Sequence, residues 1–119
     1  MIFDMRTYTC KPGTVPAQLK TYEEQGYAVQ TKHLGEPALY GVTETGAINT
    51  YVHIWAYEDA ADRAKKRAAM QGDPEWHAFL AKTREAGYLI GQENQILRDR
   101  PVKSLWRTGR PASYAGDAA

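Results

Sequence analysis

Cysteine is nearly missing from this chain: Cys10 stands alone, so no intramolecular disulfide can form and no cysteine cage for zinc can be assembled. Cys10 reads as a small hydrophobe at a strand end. Long apolar runs are missing too. None approaches the roughly 20 residues that a membrane span requires. The opening, Met1 to Cys10, alternates like a strand and lacks the apolar block of a secretory signal, so the expected address is the cytoplasm. Excess charge of either sign is also lacking: 15 Lys+Arg balance 14 Asp+Glu for a net +1. Nucleic acid, which calls for a clustered basic surface, is therefore not an expected partner. The densest basic cluster, Arg63, Lys65, Lys66 and Arg67, follows Glu58, Asp59 and Asp62 in a helical pattern and reads as a solvated face. His33, His53 and His77 fall on separate elements without ligand spacing, so no metal is expected. With no glycine-rich phosphate loop and no serine nucleophile elbow either, no cofactor is expected.

What is present suffices for one ordinary core: 119 residues, 43% of them hydrophobic. Residues 1–100 read as one domain. Residues 101–119 read as an extended or mobile tail, with Gly109, Pro111 and Gly116 and a small polar finish; Trp106 is its one side chain suited to docking on a neighbouring subunit. Strand composition over residues 2–9 stops at Lys11-Pro12-Gly13. Residues 16–32 carry Leu19, Tyr22, Tyr27 and Val29 at near-helical spacing, with Gly26 as a weak point. Strands over 38–45 and 50–57 sit close enough for an antiparallel hairpin. A helix follows Glu58-Asp59 and runs to Gly72. Asp73 is the natural N-cap and Pro74 the first residue of another helix ending at Gly87, with Trp76, Phe79 and Leu80 as its apolar stripe. Residues 88–97 form the last strand. The order predicts an α+β ferredoxin-like βαββαβ fold, a four-stranded antiparallel sheet with helices on one face. The other face needs cover, and a second copy of the chain would supply it.

Alternation along residues 50–57 separates Val52, Ile54 and Ala56 from Tyr51, His53, Trp55 and Tyr57. The aliphatic set suits packing under helices. The aromatic and polar set suits the wall of a pocket on the uncovered face. By the same logic Asp4, Arg6 and Tyr8 in the first strand share that face. The last strand adds either Gln92 and Asn94 or Glu93 and Gln95, since its pattern fits both registers; Glu93 is taken as a candidate substrate contact.

His53 is the candidate acid or base, because only histidine titrates near neutral pH without a large perturbation. A hydrogen-bonded structural histidine is the alternative. Tyr8 and Tyr57 are candidate donors to an enolate or phenolate oxygen, or else fill a dimer core. Arg6 either pairs with Asp4 or clamps an anionic group bidentately, while Tyr51 and Trp55 supply wall.

The run Phe3-Asp4-Met5-Arg6-Thr7-Tyr8-Thr9 with Lys11-Pro12-Gly13, the strand His53-Ile54-Trp55-Ala56-Tyr57 with Asp62-Arg63, the Asp73-Pro74-Glu75-Trp76 with Phe79, and the ending Gln92-Glu93 to Ile96-Leu97-Arg98 together resemble the NIPSNAP family over residues 1–105. The resemblance implies a dimeric α/β barrel in which two sheets enclose an interior. It implies no settled reaction, because the wider superfamily mixes cofactor-free monooxygenases, isomerases, haem-dependent chlorite dismutases and members without known activity. The expectation is a small-molecule-binding homodimer, either a cofactor-independent monooxygenase, isomerase or cyclase acting on an aromatic or polyketide-like substrate, or a non-catalytic ligand- or protein-binding module. A haem protein would need His53 or another histidine as proximal ligand.

Overall fold

A computed structural model describes residues 1–100; the tail expected over 101–119, with Trp106, lies outside the described residues. The chain runs β1 (Ile2–Cys10), α1 (Val15–Thr21), a π-helical turn (Tyr22–Gly26), α2 (Tyr27–Leu34), β2 (Leu39–Val42), β3 (Thr50–Tyr57), α3 (Ala60–Gln71), α4 (Pro74–Ala86) and β4 (Leu89–Arg98). The order β2-β3-β1-β4, antiparallel throughout, makes the expected α+β ferredoxin-like sheet. Among the described residues no helix is long and apolar enough to cross a membrane.

The helix boundaries follow local chemistry. Asp59 caps α3 by accepting from the Asp62 backbone N–H at 2.8 Å, and the Asp62 carboxylate reaches back to the N–H of Glu58 at 3.0 Å. The first bond satisfies a donor that the first turn would otherwise orphan, and the second ties the residue before the cap to the helix start. Asp73 caps α4 through the Glu75 N–H at 2.9 Å, with Pro74 beginning the helix where a missing N–H costs nothing. Gly87 ends it in the left-handed conformation, φ 69°.

The three segments from Val15 to Leu34 form one rod, with helical dihedrals through both junctions. Its buried stripe is Val15, Gln18, Tyr22, Gly26, Val29, Gln30 and Leu34. Tyr27, expected on the stripe, is instead 40% exposed and donates to Glu36. Two glutamines occupy the inward face, which a purely apolar template passes over.

The two sheet faces are reversed from the expected assignment. Tyr51, His53, Trp55 and Tyr57 are all buried beneath the helices, where Trp55 and Tyr57 join Tyr22, Val29, Leu34, Met70, Trp76 and Phe79 in the main core. Val52, Ile54 and Ala56 are partly exposed on the other face. Cross-strand pairing puts Met5 beside Ile54, Leu39 beside Ile54, and Thr7 beside Val52 and Glu93 on that same face. The physical reason is that polarity does not bar burial when polar tips find partners inside, as those of Trp55 and Tyr22 do. Aliphatic side chains lie on the face that none of the described elements covers.

The pairing also settles the last strand. Arg6 lies opposite both His53 and Asn94, and Tyr8 opposite both Tyr51 and Gln92. Gln92 and Asn94 therefore share the helix-side face, and Glu93 points with Gln95 to the other one. Glu93 does not join the other candidates.

Candidate functional site

Between the sheet and the helical layer lies a cavity of about 210 Å³. β1 contributes Arg6 and Tyr8; β2 and β3 contribute Tyr40, Tyr51 and His53; the long rod contributes Gln18, Tyr22 and Gln30. From α3 come Arg67 and Gln71, from α4 Trp76, Phe79, Leu80 and Thr83, and from β4 Leu89 and Gln92. Of the residues expected from sequence, Arg6, Tyr8, Tyr51 and His53 meet there. Asp4, Trp55 and Tyr57 share the helix-side face but do not line the cavity, and Glu93 is on the far side of the sheet. The lining from Gln18, Tyr22, Gln30, Tyr40 and Arg67 was not anticipated. The one local signal for part of it is Gln18 four residues before Tyr22, a polar side chain on an otherwise apolar stripe.

His53 is held from several sides. The Trp55 Nε1–H donates to its Nδ1 at 2.6 Å. An indole nitrogen can only donate, so Nδ1 must be the bare acceptor and the neutral ring carries its proton on Nε2. That Nε2 is buried and has no protein partner. Tyr40 stacks on the imidazole at 4.8 Å and 12°, and Tyr8 meets it edge-on at 4.8 Å and 82°. Tyr22 stacks in turn on Tyr40 at 4.8 Å and donates its hydroxyl to Gln30 at 2.6 Å. Burial, and then the charges of Arg6 and Arg67 against the opposing pull of Asp4, hold the His53 pKa down to about 3. At neutral pH His53 is thus a neutral ring that lines the cavity and carries a buried, unpartnered Nε2–H. The acid–base role expected for it does not suit this tautomer, whose one basic nitrogen is occupied.

Behind the cavity, Asp4 is fully buried and satisfied on both oxygens. Arg6 Nη1 and Arg63 Nε each donate to Oδ2 at 3.1 Å, and Asn94 Nδ2 donates to Oδ1 at 3.0 Å. Burial alone would raise its pKa, but Asn94 and the two guanidiniums prevail and lower it. Of the two alternatives for Arg6, the Asp4 pair is therefore formed, and it aims the guanidinium: Nε donates to the Tyr8 hydroxyl at 3.1 Å while the same group lines the cavity. The Tyr57 hydroxyl has no partner within hydrogen-bond distance, yet Arg67 lies near enough to offset part of the pKa rise that burial imposes on it.

Four buried side-chain polar atoms among the described residues lack a protein partner, and three of them, Gln18 Oε1, His53 Nε2 and Thr83 Oγ1, belong to residues lining this one cavity. Buried polar groups are ordinarily satisfied by protein or ordered water, and these three exceptions belong to residues around one space. Among the described residues no three His, Cys, Asp or Glu side chains gather as a metal would require. A haem does not fit either: about 210 Å³ is below the roughly 300 Å³ at which even drug-sized pockets begin.

The NIPSNAP family model matches residues 3–103. The protein NipSnap homolog of Dictyostelium discoideum is 34% identical over 82 residues, 69% of this chain and 36% of its own length. The chain thus spans about a third of that curated relative. A solved protein from Agrobacterium tumefaciens aligns with a TM-score of 0.82 at 40% identity, covering 87% of this chain and 98% of its own. A putative antibiotic biosynthesis monooxygenase from Nitrosomonas europaea shares the fold, with a TM-score of 0.61 at 10% identity over 85% of this chain and all of its own. The family model's match over residues 3–103, together with the 34% identity to the Dictyostelium relative, establishes that the chain belongs to the NIPSNAP family.

Proposed function

We propose that this chain is a small-molecule-binding protein whose ligand occupies the cavity between sheet and helices, and that two copies pair through the aliphatic sheet face. The observation that carries the ligand site is the gathering of unpartnered Gln18, His53 and Thr83 atoms around an aromatic-lined space. Pairing is supported by Met5, Leu39, Val52 and Ile54, which lie together on the face away from the helices.

The chemistry this site favours is stabilisation of an oxyanion. His53, with its unpartnered Nε2–H, and the Arg6 guanidinium both belong to the lining of this cavity, and fixed donors in such a site are worth most to a developing enolate or phenolate. That fits cofactor-independent oxygenation, isomerisation or cyclisation of an aromatic or polyketide-like substrate. One feature favours the second reading, a binding module without turnover: among the described residues no carboxylate lines the cavity to serve as base, so a reacting substrate must itself be acidic enough to ionise.

Thermal-shift screening against small aromatic and enolisable compounds tests the ligand site. A hit present at about 100 times its Kd should stabilise the wild type by about 2.7 kcal/mol, and His53→Phe, which keeps a ring but removes the N–H donor, should weaken the hit. Hits unaffected by His53→Phe would place the ligand elsewhere. Hits consumed or oxidised over hours, followed by absorbance and dissolved oxygen, would favour the enzyme; hits recovered intact would favour the module.

A further inference from the structure

We infer that the ligand is a small planar anion, one ring with its substituents, whose acidic group meets Arg6 and Arg67 while a second oxygen accepts from His53 Nε2. The inference rests on the reading of the cavity as a ligand site and adds the ligand's size, charge and shape to it.

Size comes from the volume. A cavity of about 150 Å³ encloses benzene, so about 210 Å³ holds a ring and a few more atoms. A fused polycyclic molecule is too large. The aromatic lining of Tyr8, Tyr22, Tyr40, Trp76 and Phe79 favours a guest with a π face over an aliphatic one of the same volume.

Charge comes from the lining. Among the described residues two guanidiniums, those of Arg6 and Arg67, line the cavity and no Asp or Glu does. Arg6 is partly compensated by Asp4 through Nη1, which leaves its remaining N–H groups directed elsewhere. Arg67 makes no ion pair among the described residues. It sits on α3 one turn beyond Arg63, whose Nε is engaged with Asp4. Both Arg6 and Arg67 disfavour a proton on His53, and the opposing pull of Asp4 offsets them only in part, so a net positive field remains at the ring that lines the cavity. A planar carboxylate answers that field and matches guanidinium geometry. The second acceptor follows from His53: its tautomer is set by the Trp55 bond, and the resulting Nε2–H is buried and unpartnered.

Trp55 offers a direct test, since its indole N–H bonds to the ring that would meet the ligand. In ¹H–¹⁵N spectra of the whole chain, salicylate should shift this resonance saturably and bind about tenfold or more tightly than salicylamide, its neutral counterpart; about tenfold corresponds to about 1.4 kcal/mol. Arg67→Gln should erase that preference, with the rest of its spectrum reporting an intact fold. Equal binding of salicylate and salicylamide to the wild type, or a preference that survives Arg67→Gln, would overturn the anion assignment and leave the ligand site standing. Cyclohexanecarboxylate binding as well as benzoate would overturn the ring. If none of the four probes moves the Trp55 indole, the ligand site falls together with the inference.

Discussion

At the scale of single residues, the environment of His53 makes a pH prediction with a definite sign. Its folded pKa of about 3 lies below the ordinary 6.5, so between those values the unfolded chain binds a proton that the folded chain refuses. Stability is then fully present above about pH 6.5 and is lost as pH falls toward 3, with a limiting slope of about 1.4 kcal/mol per pH unit from this one group. Chemical denaturation of wild type and His53→Phe at pH 7, 6, 5 and 4 should show the wild type losing stability more steeply over this range; parallel curves would mean that the imidazole is not held neutral. Asp4 acts lower. Its pKa is depressed from 3.8, so its contribution survives above that value and disappears only as pH falls below it. Asp4→Asn should cost about 3 kcal/mol at neutral pH, the low end of the range for breaking a buried ion pair, because Arg6 and Arg63 keep some solvent contact at 16% and 29% exposure. A denaturant midpoint close to the wild type's would show that the two arginines find other partners.

At the scale of elements, the π turn and α4 shape the cavity together through one glycine. A Cβ on Gly26 would come within 3.0 Å of the Phe79 ring and 2.8 Å of the Tyr22 ring, and both rings line the cavity. Gly26→Ala gains helix propensity of about 1 kcal/mol but overpacks a site where such insertions cost about 1–3 kcal/mol. The expected result is net destabilisation of up to about 2 kcal/mol by denaturant titration, with displaced Tyr22 and Phe79 resonances; a more stable variant would show that the rod can move away from α4 freely. Elements were also the most legible level of this sequence. Asp73-Pro74 and Gly87 declare the ends of α4 because caps and left-handed turns are decided within a few residues. Thr50 to Tyr57 declares β3 by alternation. The direction in which β3 faces was not legible, because it depends on what the helices bring to meet it. Gln18 and Gln30 look like surface residues until the rod is laid over Tyr40 and Tyr51, and Trp55 and His53 look half-solvated until they are seen bonded to each other. Register in β4 was open for a similar reason: only the pairing of Arg6 with Asn94 sends Glu93 away from the site.

At the scale of the whole molecule, one sheet separates the two sites proposed above. The cavity lies on the helix side, and the other side presents Ile54 with Met5 and Leu39 as its direct cross-strand neighbours, Leu39 being 51% exposed. An antiparallel sheet tolerates water on one face when that face is polar; here its centre is aliphatic, which is the composition of a surface meant to be covered. The pairing proposed above therefore predicts that a charge at the centre of this face separates the copies without disturbing the cavity. Burying an unpaired lysine costs several kcal/mol, so Ile54→Lys should weaken a dimer by about 100-fold or more. Light scattering after size exclusion at tens of micromolar should give the mass of two chains for the wild type and of one for Ile54→Lys. The Trp55 indole resonance should keep its position if dissociation leaves the His53 bond intact, because Ile54 and Trp55 point to opposite faces. A wild type that runs as a single chain, or an Ile54→Lys variant that stays paired, would rule out assembly through this face. A variant that separates and also loses the Trp55 resonance would instead mean that the helix-side cavity depends on the partner across the sheet.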